Sequence, residues 1–177
     1  MSRDGSSFAD VEVNRLLQEH GYLVYVVLSD WRLRCACYDQ ATSSPCPTCL
    51  YCFGAGFQVS VVKSRTYSRS QTPPSWGYFG AHPVESPGTI EVGGRYYYFA
   101  NQSIAAASLS PGDMILEPQH DDGGRLTGIE RAYRVSVVDP YRLYGVKVYR
   151  RAACSLLSSD IDSLWNALAY HLGGRAS

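Results

Sequence analysis

The chain has 177 residues, 45% of them apolar, and its 16 basic residues balance its 16 acidic ones. That length and apolar content fit one folded domain with a real core and argue against disorder. A neutral chain gives no support for a protein that wraps a nucleic-acid backbone. No apolar run is long enough to cross a membrane, the longest being Tyr22–Leu28.

The N-terminal MSRDGSSFADVE lacks the apolar stretch of a signal peptide. The expectation is therefore a protein that is not exported, in which clustered cysteines point to metal or redox chemistry rather than disulfides. Ser6 and Ser7 ahead of Asp10 resemble a helix cap, and Phe8, Val11, Leu16 and Leu17 recur at helical spacing. They predict a helix over 8–20, stopped by Gly21. Tyr22–Leu28 is continuously apolar and rich in β-branched residues, the pattern of a strand covered on both faces. Residues 30–34 continue extended, with Trp31 and Leu33 alternating against charge.

Five of the six cysteines follow, in CACYDQATSSPCPTCLYCFGAGF. Cys35 and Cys37 form a C-x-C pair, and Cys46, Cys49 and Cys52 follow at intervals of three. The run closes as C-x-x-C-x-G-x-G through Gly54 and Gly56. Thiolates arriving in two close pairs suit a tetrahedral metal site, with zinc the usual occupant. Small residues after the second pair let backbone N–H groups turn toward sulfur. The expected ligands are Cys35, Cys37, Cys49 and Cys52, with Cys46 as an alternate ligand because Cys46-Pro47-Thr48-Cys49 is itself a C-x-x-C. An iron–sulfur cluster and a set of free redox thiols remain open. An all-cysteine set leaves no open position, so the metal expected here is a structural Zn2+ and not a catalytic one.

Phe57–Tyr67 alternates apolar and polar residues as a half-buried strand does, which puts the cysteine loop, residues 35–56, at the tip of a hairpin. Residues 68–88 are rich in Pro, Ser and Gly and carry Trp76, Tyr78 and Phe79. They predict a long arm that either folds back on the core or docks on a neighbouring subunit. Gly93-Gly94 between Thr89–Val92 and Arg95–Ala100 signals a tight hairpin. Gln102–Leu109 reads as a continuing strand, Ser110-Pro111-Gly112-Asp113 as a turn, and Met114–Glu117 as a strand. Gly128–Asp139 alternates, Pro140 begins a turn, and Tyr144–Arg151 pairs back. Cys154 stands apart from the cluster in an apolar setting and reads as a buried small hydrophobe. Ser159 and Asp160 look like a cap, and Ile161, Leu164, Trp165, Leu168 and Leu172 form one apolar stripe on a helix over 160–172.

Short strands with Gly and Pro turns give the expected fold class: mainly β (α+β), a small antiparallel β-barrel or sandwich. One domain is expected. It comprises an N-terminal helix in 1–21, strands bearing the metal loop in 22–67, the arm 68–88, the barrel 89–155 and a C-terminal helix in 156–177. Catalytic signals are weak. His20, His82, His120 and His171 are scattered, and His120-Asp121-Asp122 sits in a Gly-rich turn.

This order of features resembles the neck proteins of tailed bacteriophages, the head-completion, adaptor or stopper proteins between portal and tail. The matching residues are Cys35, Cys37, Cys49, Cys52, Gly54 and Gly56, with Ser110–Asp113 in the barrel. The match covers residues 8–150 by order of elements and not by residue identity. The resemblance implies a structural virion protein and no enzyme. It implies a homo-oligomeric ring, dodecameric or hexameric, with a portal or adaptor protein above and a tail terminator or tail protein below. DNA would pass through the lumen without sequence recognition, and no membrane would be involved. The alternative is a cellular zinc-knuckle adaptor for nucleic acid or protein. It predicts a basic face beside the cysteines, made from Arg32, Arg34, Lys63 and Arg65 with Trp31 and Tyr38 as stacking rings.

Overall fold

The computed structural model describes residues 4–70, 94–143, 146–157 and 160–173. In chain order the elements are α1 (Asp4–His20), β1 (Tyr22–Arg34), β2 (Phe57–Ser70), β3 (Arg95–Ala100), α2 (Ile104–Ser108), β4 (Met114–His120), β5 (Leu126–Leu143), β6 (Val146–Leu156) and α3 (Ile161–His171). The fold is mainly β with three helices. Every strand pairing is antiparallel, in the order β1-β2-β3-β6-β5-β4. The ladder returns on itself where Tyr25, Val26 and Val27 of β1 pair with Leu116, Ile115 and Met114 of β4.

The apolar run of β1 explains how the core is divided. Val24, Val26 and Leu28 point into the first core, with Tyr97, Phe99, Ile115, Tyr133 and Val135. Tyr25 and Val27 point the other way, into a second core with Met114, Leu116, Ile129 and Ala132 from neighbouring strands and Leu164, Ala167 and Leu168 from α3. Alternate residues therefore serve opposite faces, and both faces are covered. The stripe on α3 holds as expected at Leu164 and Leu168, and Trp165 is partly buried against the same core. Leu172 at its end is exposed. Asp160 caps the helix by accepting from the Asp162 N–H at 3.1 Å.

Three expectations are corrected. Gln102–Leu109 is not a strand: Ser103 accepts from the Ala106 N–H at 3.0 Å and caps α2, whose Ala105 and Ala106 are buried in the first core. Helix α1 begins at Asp4, ahead of the predicted residue 8. Its stop at Gly21 stands, because a Cβ there would lie 2.3 Å from the Leu17 carbonyl oxygen. Pro140 does not begin a turn but lies within β5, opposite Arg150. Pro118 likewise sits in β4, at a register shift beside Glu117, one of the places a strand tolerates a residue with no N–H. Residues 68–70 complete β2, and the rest of the arm 68–88 and the hairpin at Gly93 lie outside the described residues. Cys154 is buried in the first core.

Candidate metal centre

The β1–β2 ladder ends where Arg34 pairs with Phe57, and the cysteine loop is everything between them. The Cys35 N–H donates to the Gly56 carbonyl at 3.0 Å, which closes the neck of the loop. Inside it, the Tyr38 N–H donates to Cys35 O, the Cys49 N–H to Cys46 O, the Phe53 N–H to Cys49 O and the Ala55 N–H to Cys52 O, over 2.8–3.2 Å. The chain leaves the second cysteine pair through a left-handed segment, with φ of 53° at Phe53, 74° at Gly54 and 79° at Gly56. Glycine is required at 54 for a second reason, since a Cβ there would meet the Pro47 carbonyl oxygen at 2.7 Å.

This path brings four thiols together. The Sγ atoms of Cys35, Cys37, Cys49 and Cys52 all lie within 4.8 Å of one another. Cys35 and Cys49 are 3.9 Å apart at sulfur, and Cys37 and Cys52 are 3.4 Å apart. A regular tetrahedron with metal–sulfur bonds of about 2.3 Å has edges of about 3.8 Å, so the donor set suits a tetrahedral ion. Cys35, Cys49 and Cys52 are buried, and none of the six cysteines is in a disulfide. Cys46 lies outside the group: it is exposed, with its sulfur 3.6 Å from the Thr48 hydroxyl.

The thiols differ in acidity. Burial pushes the Cys52 pKa up, against an opposing N–H from Gly56 at 3.4 Å. Burial also raises Cys37. Burial opposes ionisation of Cys49 as well, but the N–H groups of Tyr51 and Cys52 and the neighbouring thiols outweigh it and hold its pKa below the usual thiol value. A metal entering this site must displace protons that burial otherwise retains.

The loop is docked on α3, a contact that the sequence reading missed. Phe53 belongs to the second core, beside Leu164 and Leu168. Its ring stacks on His171 with centroids 5.3 Å apart, Tyr51 meets Tyr170 edge-on at 5.0 Å, and His171 Nε2 lies 3.2 Å from the Tyr51 carbonyl oxygen. A large apolar residue between Cys52 and Gly54 was the one local signal of this docking.

Arg34 and Arg65, and the rings of Trp31 and Tyr38, are engaged within the chain. The Arg34 guanidinium lies 4.2 Å from the Tyr38 ring centroid and 4.3 Å from that of Phe57. Trp31 packs on Phe57 at 4.7 Å, and a Cβ at Gly112 would strike the Trp31 ring at 2.7 Å. Arg65 donates to the Gln18 and Gly21 carbonyls and ties α1 to β2. The S-P-G-D turn thus seats Trp31, and it is itself pinned. The buried Asp113 carboxylate accepts from the Ser29 and Ser110 N–H groups, each at 2.8 Å.

A second polar cluster had no sequence signature. Glu117 is buried and accepts from Tyr97 at 2.8 Å, Arg95 at 2.9 Å and Tyr22 at 3.0 Å. Burial raises Tyr22 to about 12. The cluster lines a depression of about 270 Å³ shared with His120, Glu130 and Arg131. The carboxylate is occupied by three donors, so the cluster ties β1, β3 and β4 together. Of the remaining histidines, His20 and His120 are exposed and His82 lies outside the described residues. Asp121 forms an ordinary turn, accepting from the Arg125 N–H at 2.8 Å.

No protein-family model and no curated protein matches this chain.

Proposed function

We propose that the chain is a structural protein of the tailed-phage neck, a ring subunit that joins head to tail around the passing DNA and carries one structural Zn2+ on Cys35, Cys37, Cys49 and Cys52. The observation that carries the reading is the four-thiol group itself. It is mostly buried, and among the described residues no His or carboxylate joins it. It also sits at a hairpin tip held against α3 by Phe53. Such a centre holds a loop in shape and has no place for substrate. The order of elements along the chain supports the neck assignment. Alongside it, tyrosine and arginine, the side chains favoured in protein interfaces, number 14 and, with only Lys63 and Lys147 as lysines, also 14. When bound, zinc supplies a fixed tetrahedral crosslink. The chain's own contribution is to present thiols and to aim the Gly56 N–H at Cys52 sulfur.

The test is metal analysis together with native mass spectrometry of the purified full-length chain. About one zinc per chain is expected, with discrete rings alone or with portal-type partners. A zinc-free protein, or a chain that stays monomeric at high concentration and with such partners, refutes the reading. Cys49→Ser should lose the metal and Cys46→Ser should keep it. Metal loss in Cys46→Ser alone would overturn the ligand set.

A further inference from the structure

The outer face of β2, β3, β6 and β5 carries a line of tyrosines. Tyr67 and Tyr98 are direct cross-strand partners, with ring centroids 6.2 Å apart. Tyr98 meets Tyr149 at 5.7 Å, and Tyr149 stacks on its own cross-strand partner Tyr141 at 4.5 Å with the planes 5° apart. The two ends of the line are the open ones: Tyr67 is 55% and Tyr141 45% exposed. The parallel pair thus ends in a half-exposed ring, to which a further aromatic can add.

Charge on this face is one-sided. Arg69 lies two residues from Tyr67, and Arg151 lies two from Tyr149, so strand alternation puts both on the side of the rings; Lys147, beside a register shift in the β5–β6 pairing, is exposed next to them in sequence. The Arg151 guanidinium sits 4.9 Å over the Tyr96 ring and 3.0 Å from Asp139, the one acid in this register. The zero net charge of the whole chain conceals this local cationic excess.

We propose that this face binds a single-stranded nucleic-acid segment, with a base stacked on Tyr141 and another on Tyr67 and with phosphates beside Arg69 and Lys147. Rings with open faces set among cations are what sequence-tolerant single-strand binding requires. A duplex would offer phosphates but no free base faces. The proposal is independent of ring assembly, and it differs from the basic face expected beside the cysteines, where Arg34 and Trp31 are engaged internally.

The test is fluorescence anisotropy of labelled dT12 on the zinc-loaded full-length protein, against the same sequence in duplex form and against a poly-glutamate peptide. dT12 should bind more tightly than either competitor. Tyr141→Ala should weaken it about 5- to 150-fold, the effect of one lost base stack. Tyr141→Phe, which keeps the ring, should bind within a factor of about two of wild type. Arg69→Ala and Lys147→Ala should each lower the salt slope by about 0.7. Circular dichroism melts of each variant confirm that the barrel is intact. No binding of dT12 at low salt overturns the proposal. Equal binding of duplex or poly-glutamate, or a Tyr141→Ala variant that binds as wild type does, also overturns it by reducing the face to a non-specific cationic surface.

Discussion

Phe53 is where the cysteine loop and α3 share a core, so truncating it measures how firmly the two are joined. The side chain is 6% exposed and packed among Tyr25, Leu164 and Leu168. Phe53→Ala should cost about 3–5 kcal/mol, the usual range for deleting a buried aromatic ring. At about 2–4 °C per kcal/mol for a chain of this size, the melting temperature should fall by about 6–20 °C. The backbone supplies an internal check. Phe53 has a φ of 53°, in the left-handed region, where an L side chain costs about 1–2 kcal/mol and glycine nothing. Phe53→Gly should therefore be about 1 kcal/mol less destabilising than Phe53→Ala, the reverse of the order in a regular helix or strand. Both variants retain all four ligand thiols, so both should keep their metal. The assay is urea and thermal denaturation followed by circular dichroism, with zinc measured on the same samples. A loss below about 1 kcal/mol for Phe53→Ala would show that the loop is not docked through this ring. A Gly variant less stable than the Ala variant would refute the backbone argument.

The buried Asp113 has its pKa raised by burial, against opposing N–H donors from Ser29 and Ser110. The folded state therefore holds this proton more tightly than the unfolded chain, and ionisation lowers stability as pH rises from the ordinary carboxyl range toward the raised value. Asp113→Asn should abolish that decline and, because an amide accepts through one oxygen only, cost about 1–3 kcal/mol at neutral pH; melts from pH 3 to 7 compare the two proteins. Glu117→Ala removes the carboxylate beside Arg95, Tyr22 and Tyr97 and should cost about 3 kcal/mol, the low end for a broken buried pair. The double change Glu117→Leu with Arg95→Met should recover much of that loss in a denaturant titration, and failure to do so would show that the tyrosine hydrogen bonds dominate.

The parts of this fold that were legible in the sequence are those in which local pattern and burial agree. Tyr22–Leu28 reads as a strand covered on both faces because Val24 and Val26 fill one core while Tyr25 and Val27 fill another. The four ligand candidates could be read from spacing, because C-x-C and C-x-x-C are short enough for local turns to bring the sulfurs together. Where the reading failed, tertiary contacts decided. In α2, the run Ile104–Ser108 is rich in alanine, a strong helix former, and Ser103 is a ready cap. The apolar look of Gln102–Leu109 masked both signals. Pro140 looked like a turn because proline lacks an N–H, yet β5 accommodates it opposite Arg150. Glu117 was invisible because its partners come from positions 22, 95 and 97, and no local pattern announces contacts of that range. The proposed neck role drew on the order of motifs along the chain as well as on the thiol group.

The position of the thiol group follows from what its loop lacks. Between Cys35 and Gly56 the buried apolar side chains are Cys35, Cys49, Cys52 and Phe53. Burying one phenylalanine contributes about 1.5–3 kcal/mol, whereas ordering each residue's backbone costs about 1–2 kcal/mol. A loop of this length cannot hold one shape on such a core. A structural zinc contributes about 10–16 kcal/mol at neutral pH, several times what Phe53 supplies. Zinc held by these thiols would dominate the order of the loop, which presents Phe53 and the Tyr51 carbonyl to α3. Metal bound to the proposed site would thus help to seat α3, although none of the four thiols lies on the helix.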